Sequence, residues 1–310
     1  MIELRRVGKT YRPLLGRPVR AVDEFTLNVR AGEVLGLAGP NGAGKSTLIG
    51  LMLGFLRPTD GTVRVGGLEP REYVERYGVA YLSELVAINP LWRAEGALTR
   101  FAVLSGVPER ELRSRVDAGV ERLGLGEHRA KRIKALSKGN LQKVGLAQAL
   151  LREGAGAGEN EGAQVLVLDE PTHGLDPVWT QRFRDLVADL RRPDRAIFIA
   201  SHNLDELQRV ADRVAIIDRG RLQRVVDVRA GAAEGVVAYR IAVAEGAEHV
   251  RAVFPAAEDG PAAGEFLVRA EDLATLNRGV AELLALGAVV RELAPAHSAL
   301  EQHFREAVGE

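Results

Sequence analysis

The chain has 310 residues, with Lys plus Arg and Asp plus Glu each totalling 42, and no cysteine. That length accommodates one large and one small domain with real cores. The missing cysteine excludes disulfides, zinc-thiolate sites and thiol catalysis, and the charge balance removes the strong basic field of a dedicated nucleic-acid binder, which argues only weakly against such a partner; no nucleic-acid partner is expected.

The first residues, MIELRRVGKTY, lack the apolar core of a signal peptide. No apolar run approaches the roughly 18 residues that would cross a bilayer. The expectation is a soluble or peripheral protein of the cytoplasm.

In chain order, AVDEFTLNVRAG alternates at Val22, Phe25, Leu27 and Val29 and turns at Ala31-Gly32, before Val34 to Ala38 becomes continuously apolar. This predicts an outer antiparallel strand leading into a buried central one. QVLVLDE (164–170) and AIFIAS (196–201) are further buried strands with helical segments between them, the pattern of a parallel sheet flanked by helices. RVAIIDRGRLQRVVD predicts a hairpin turned at Arg219-Gly220. Between about residues 85 and 155 amphipathic helix dominates, as in PERELRSRVDAGVERLGL, and a helical subdomain is expected there. REGAGAGENEG (152–162) reads as a surface loop, and RAGAAEG after Val228 as a linker. VVAYRIAV, GEFLVRA, EDLATLNRGVAELLALG and AVVREL then predict a small α+β domain over 229–310. Its last helix has Ser298 three residues before Glu301, the spacing of a capping box.

GPNGAGKST (Gly39 to Thr47) fits G-x-x-x-x-G-K-[ST] and stands after an apolar strand and before an apolar helix, as a phosphate loop must. Gly39, Asn41, Gly42, Gly44 and Thr47 shape the loop so that backbone N–H groups and the helix N-terminus face phosphate. Lys45 reaches the β- and γ-phosphates, and Ser46 offers its hydroxyl to Mg²⁺. Downstream, Val165 to Leu168 end in Asp169-Glu170. Asp169 at the strand tip is placed to hold Mg²⁺ through water, and Glu170 to accept a proton from the attacking water. Kinases, GTPases, helicases and transporters all share these parts.

LSKGNLQK decides among them by its position. Ser137 is an apt N-cap, Gly139 leaves room for close approach, and Leu141, Val144, Ala147 and Leu151 form an apolar stripe. The stretch precedes the Asp169-Glu170 strand and is followed by HGLDP and SHNLDE. In this order of motifs, residues 1 to about 228 resemble the ATP-binding subunits of ABC transporters. The resemblance implies the family's fold: an α/β P-loop NTPase of ABC type, a mixed sheet core with an antiparallel β subdomain and an inserted helical subdomain.

It also implies roles. Tyr11 matches the aromatic residue that stacks on adenine, Glu84 falls at the Q-loop as a metal contact, and His202 is the switch histidine on the γ-phosphate. Ser137, the Gly139 backbone and Asp176 clasp ATP bound to the Lys45 loop of a second subunit, in a head-to-tail dimer with shared sites. Asp176 before Pro177 is, in addition, an expected helix cap. Lys138 stands where the family's signature turn has Gly, Asn140 where it has Gln, and Ser83 where the related branch often has Pro. Glu84 replaces the Q-loop glutamine and adds negative charge beside the phosphates.

The Ser-Lys-Gly turn, the single ATPase domain and the C-terminal appendage are similar to the ABC-2 and multidrug exporter branch. That implies ATP and Mg²⁺ as cofactors, a homo- or heterodimer, and a separately encoded membrane permease at the cytoplasmic face of the cell membrane. The rival is a soluble ABC ATPase acting on nucleic acid or ribosomes. Chromosome-maintenance members separate the two motifs by long coiled coils, and translation-factor members carry two ATPase domains. A small-molecule P-loop kinase would leave the signature turn and His202 unexplained.

Overall fold

The apolar runs sort into sheets according to whether one face or both are covered. A computed structural model describes residues 1–13, 16–151, 164–228, 237–270, 272–295 and 299–309. The chain divides into two compact units, Met1–Arg229 and Ala230–Glu310.

In the first unit, β1 (Ile2–Tyr11), β2 (Val19–Val29), β3 (Val34–Ala38), α1 (Lys45–Met52), β4 (Asp60–Val65), α2 (Pro70–Tyr77) and β5 (Ala80–Leu82) come first. The helices α3 (Ala94–Leu104), α4 (Glu109–Arg122) and α5 (Lys138–Ala149) follow. Then come β6 (Val165–Asp169), α6 (Pro177–Leu190), β7 (Ala196–Ser201), α7 (Leu204–Val210), β8 (Arg213–Asp218) and β9 (Arg221–Asp227).

Two sheets result. The antiparallel one has the order β2-β1-β4, and the six-stranded one the order β5-β6-β7-β3-β8-β9. Strands β5, β6, β7, β3 and β8 are parallel neighbours, and β9 closes the edge antiparallel to β8. Every residue of β3, β6 and β7 is buried, which is why these strands read as continuous apolar runs. One cluster joins the sheets: Ile2, Leu4, Phe25 and Leu27 from the antiparallel side meet Leu48 and Leu51 of α1 and Leu35, Leu37 and Phe198 of the parallel side. Each such side chain stabilises the fold by about 1.5–3 kcal/mol.

The hairpin turn falls at Arg219-Gly220, with φ of 46° and 79°, the positive pair that a two-residue turn between twisted strands requires. Gly220 N–H donates to the Ala43 carbonyl at 2.8 Å, so the hairpin braces the phosphate loop. Helix α5 differs from the expected one-sided stripe. Gln142, Lys143, Gly145 and Leu146 are buried along with Val144 and Ala147, because α3, α4 and β5 all pack against it.

The second unit holds β10 (Val237–Glu245), α8 (Val250–Val253), β11 (Glu258–Asp259), β12 (Glu265–Ala270), α9 (Leu273–Ala285), β13 (Val289–Pro295) and α10 (Ala299–Val308). Its sheet has the order β11-β12-β10-β13, over a core of Ile241, Val243, Val268, Leu276 and Leu283. The expected loop at 152–162, the linker at 229–235 and the Ser298 cap lie outside the described residues.

Candidate nucleotide site

The register of the parallel sheet brings three strand ends together, Ala38 beside Ser201 and Asp169 beside Ala200. Ligands of such sheets bind off these carboxyl ends. A cleft of about 510 Å³ opens there, lined by Asn41, Gly42, Gly44, Lys45, Ser46, Thr47, Glu84, Asp169, Glu170, His173 and His202.

Its floor is the loop from β3 into α1. Gly44 has φ 110°, and a Cβ on it would lie 2.5 Å from the Ala21 carbonyl oxygen, so the position admits only glycine. No side chain caps α1. The N–H groups and dipole of its first turn therefore face the loop, a cradle that fits an anion such as the phosphates of ATP. Lys45 is buried, and its ammonium donates to the carbonyls of Gly39 at 2.7 Å and Pro40 at 3.2 Å. Those carbonyl partners keep it folded over the loop.

The opposite wall is acidic. Burial pushes the Asp169 carboxyl up to about 6, with the charges of Glu84 and Glu170 adding to the rise and Lys45 opposing it. A divalent cation would relieve this crowding, and the Ser46 hydroxyl with the Asp169 and Glu84 carboxylates forms an all-oxygen donor set suited to Mg²⁺. Among the described residues no three His, Cys, Asp or Glu form a metal cage of their own. That fits an ion which takes its other ligands from water and phosphate.

The Glu170 carboxylate is held at both oxygens. Its Oε1 accepts from His202 N–H at 3.0 Å, and its Oε2 from the Ser201 hydroxyl at 3.2 Å and His202 Nδ1 at 2.9 Å. A carboxylate only accepts, so Nδ1 carries the proton. Three of the roughly four acceptor positions are thus filled, leaving one for a water. The Glu170 backbone has φ 47°, a left-handed conformation that costs a non-glycine residue of order 1 kcal/mol.

The other sequence candidates lie outside this lining. Tyr11 is partly exposed, with its hydroxyl 3.4 Å from Thr47 Oγ1 and the Lys9 ammonium 5.5 Å over its ring. Ser137 caps α5, accepting from Asn140 N–H at 3.3 Å. Asp176 caps α6, accepting from Trp179 N–H at 2.9 Å. Gly139 has a reason within its own chain, since a Cβ there would come within 2.8 Å of the Gly174 carbonyl oxygen.

Two neighbours were not singled out from the sequence. His173 lines the cleft and Gln142 bonds to the Glu170 carbonyl. The sequence signals available were proximity to Asp169-Glu170 for the first and a polar residue on an apolar helix for the second.

This fold and cleft define a P-loop nucleoside triphosphatase. The ABC transporter family matches residues 22–173. Among curated relatives, the uncharacterized ABC transporter ATP-binding protein YhcH of Bacillus subtilis is 32% identical over 74% of this chain and 70% of its own length. The ABC transporter ATP-binding protein NatA of the same organism is 31% identical over 66% of this chain and 80% of its own. The methionine import ATP-binding protein MetN of Caulobacter vibrioides is 37% identical over 76% and 68%. A dimeric post-hydrolysis structure of the ATP-binding cassette MJ0796 bound to ADP and Pi shares the fold, with a TM-score of 0.65 at 21% identity over 74% of this chain and 99% of that one. The chain belongs to the family of ABC transporter ATP-binding proteins, and it is an ATPase. Among the described residues no helix is long and apolar enough to cross a membrane.

Proposed function

We propose that the chain powers an exporter of the ABC-2 or multidrug type from the cytoplasmic face of the cell membrane, two ATP molecules being sandwiched in a head-to-tail dimer under a separately encoded permease. In this reading residues 1–228 form the ATP-binding domain, with a helical subdomain over about 85–155, and residues 229–310 a second domain.

The observation that carries the hydrolytic part is the convergence of Lys45, Asp169, Glu170 and His202 on one cleft. Gly39 to Thr47 wrap the phosphates, Lys45 binds the β- and γ-phosphoryl oxygens, and the Tyr11 ring lies against adenine. Glu170 takes the proton of the attacking water at its remaining acceptor position, while His202 holds that carboxylate and faces the γ-phosphate. Ser46, Asp169 and Glu84 hold Mg²⁺, which when bound neutralises charge developing on the phosphoryl oxygens. Ser137, Gly139 and Asp176 lie away from their own cleft, which supports their acting on the nucleotide of a partner copy.

The exporter direction rests on the Ser-Lys-Gly-Asn turn and the C-terminal unit. A second reading, an importer subunit, is favoured by the relatives named methionine import proteins. The test is to tag the chain, extract it gently from native membranes and identify what accompanies it. A multi-span membrane protein is expected, and reconstituting it in inside-out vesicles separates the directions, because export appears there as ATP-driven uptake. Recovery with ribosomes or nucleic acid and no membrane protein would overturn the transporter reading.

A further inference from the structure

Helix α5 carries one buried amide inside a packed apolar environment. Gln142 turns inward, and its Nε2 donates to the backbone carbonyls of Glu170 at 3.1 Å and Pro171 at 3.3 Å. Burying an amide without partners is costly, so these bonds decide where the side chain points. They end on the residue whose backbone is strained at φ 47°. On its other side the Glu170 N–H donates to the Ala200 carbonyl at 2.9 Å. The Glu170 carbonyl also accepts from His173 N–H at 3.1 Å, so the Glu170 backbone is held by β7, by its own following turn and by α5, and of these backbone contacts the one from α5 is made by a side chain.

Two more contacts tie the same helix start to the same segment. Lys138 Nζ lies 2.6 Å from His173 Nε2, and the His173 ring lies edge-on to that of His202 at 6.2 Å. An ammonium only donates, so Nε2 accepts and the His173 proton sits on Nδ1. Gly139 packs bare backbone against the Gly174 carbonyl. The first five residues of α5 and residues 170–174 are thus joined at three places.

We propose that Gln142 is a positioning residue for Glu170, and that through it the turn offered to a partner's nucleotide is mechanically joined to the chain's own hydrolytic site. The inference rests on Glu170 being the base. A shift of α5 would release the left-handed Glu170 backbone, and a strained residue holds its geometry only while its surroundings over-determine it.

The experiment uses the full chain with Mg-ATP and compares wild type, Gln142→Met, Glu170→Gln and the double variant for kcat and KM. Methionine keeps the volume and removes the donor. Gln142→Met is expected to lower kcat roughly tenfold, with KM within about twofold, because the lost interaction acts on the chemical step. In the Glu170→Gln background the same change is expected to alter residual turnover less than about twofold, since no base remains to be placed.

Equal losses in both backgrounds overturn the proposal, for Gln142 would then support only the helix. Gln142→Glu keeps the shape and replaces the donor with an acceptor facing two carbonyls, which guards against a Met variant that does not fold. Its kcat must fall at least as far, and wild-type turnover in it also overturns the proposal. Wild-type turnover in Glu170→Gln instead overturns the base assignment itself, whatever the Gln142 variants do.

Discussion

Replacing Glu170 by Gln removes one oxygen and little else, and the geometry says where the new amide goes. Oε1 must still accept from the fixed His202 N–H, so the amide oxygen takes that position. The NH₂ then faces His202 Nδ1, which can accept by moving its proton to Nε2. The Ser201 hydroxyl on the same side must likewise turn from donating to accepting, so the local network survives with two bonds re-polarised, a stability change of about 1–2 kcal/mol. What does not survive is the proton acceptor, and losing a general base costs about 10²–10⁴ in rate, or roughly 3–5 kcal/mol of barrier. Nucleotide affinity is expected to hold or tighten, because a negative charge has left a cleft that receives a triphosphate. Phosphate release at saturating Mg-ATP, alongside equilibrium binding of a fluorescent ATP analogue, reads both numbers. Turnover within tenfold of wild type would refute the role.

Other perturbations separate the site from its frame. Ser137→Arg adds a bulky cation to the exposed start of α5 and is expected to abolish ATP-driven pairing in a sizing column while one chain still binds nucleotide; normal pairing would sink the shared-site arrangement. The Tyr73 hydroxyl is buried without a hydrogen-bond partner among the described residues, and burial pushes the phenol up from 10.0 to about 12. The fold thus favours neutral Tyr73, a contribution complete below pH 10 and lost as pH rises toward about 12. Tyr73→Phe is expected to leave the melting temperature at pH 7 unchanged or raised and to flatten its alkaline fall, and a loss at pH 7 would mean the hydroxyl has a partner. Gly279→Ala in α9 would ordinarily gain up to about 1 kcal/mol of helix propensity. Here the new Cβ would overlap Phe254 Cζ, so a net loss of about 1–2 kcal/mol is expected in thermal unfolding; a stabilised variant would show that the ring moves freely.

The phosphate loop and the strands β3, β6 and β7 were legible because each leaves a local trace, a fixed spacing or a continuous apolar run. Strand β1 was not: IELRRVGKTY mixes charges with apolar residues, and register shifts between Leu4 and Val7 and between Val7 and Lys9 break the two-residue alternation. With 4 and 2 residues, α8 and β11 are too short to express any period. At the site, the motifs and their order pointed to the residues lining the cleft apart from Ala21 and His173, since polar side chains that follow buried strands sit at the ends that the apolar runs announce. Gln142 carries no such mark. On an isolated helix it would face water, and only the loop after β6 gives its amide somewhere to go.

Strands β5 and β6 are paired neighbours, Leu82 beside Leu168, yet the chain leaves the sheet after the first and returns at Val165 only after building α3, α4 and α5. Closing so long a loop in an unfolded chain is entropically dear, whereas the helices between are made of near-neighbour contacts that form early. Once they pack, the length of free chain left between the two strands is much reduced. The inserted helices are therefore expected to set the folding order of this edge, with β5 docking last, and substitutions that loosen the packing of α3 on α4 should slow refolding while leaving the β3–β7–β8 centre to assemble at its own rate.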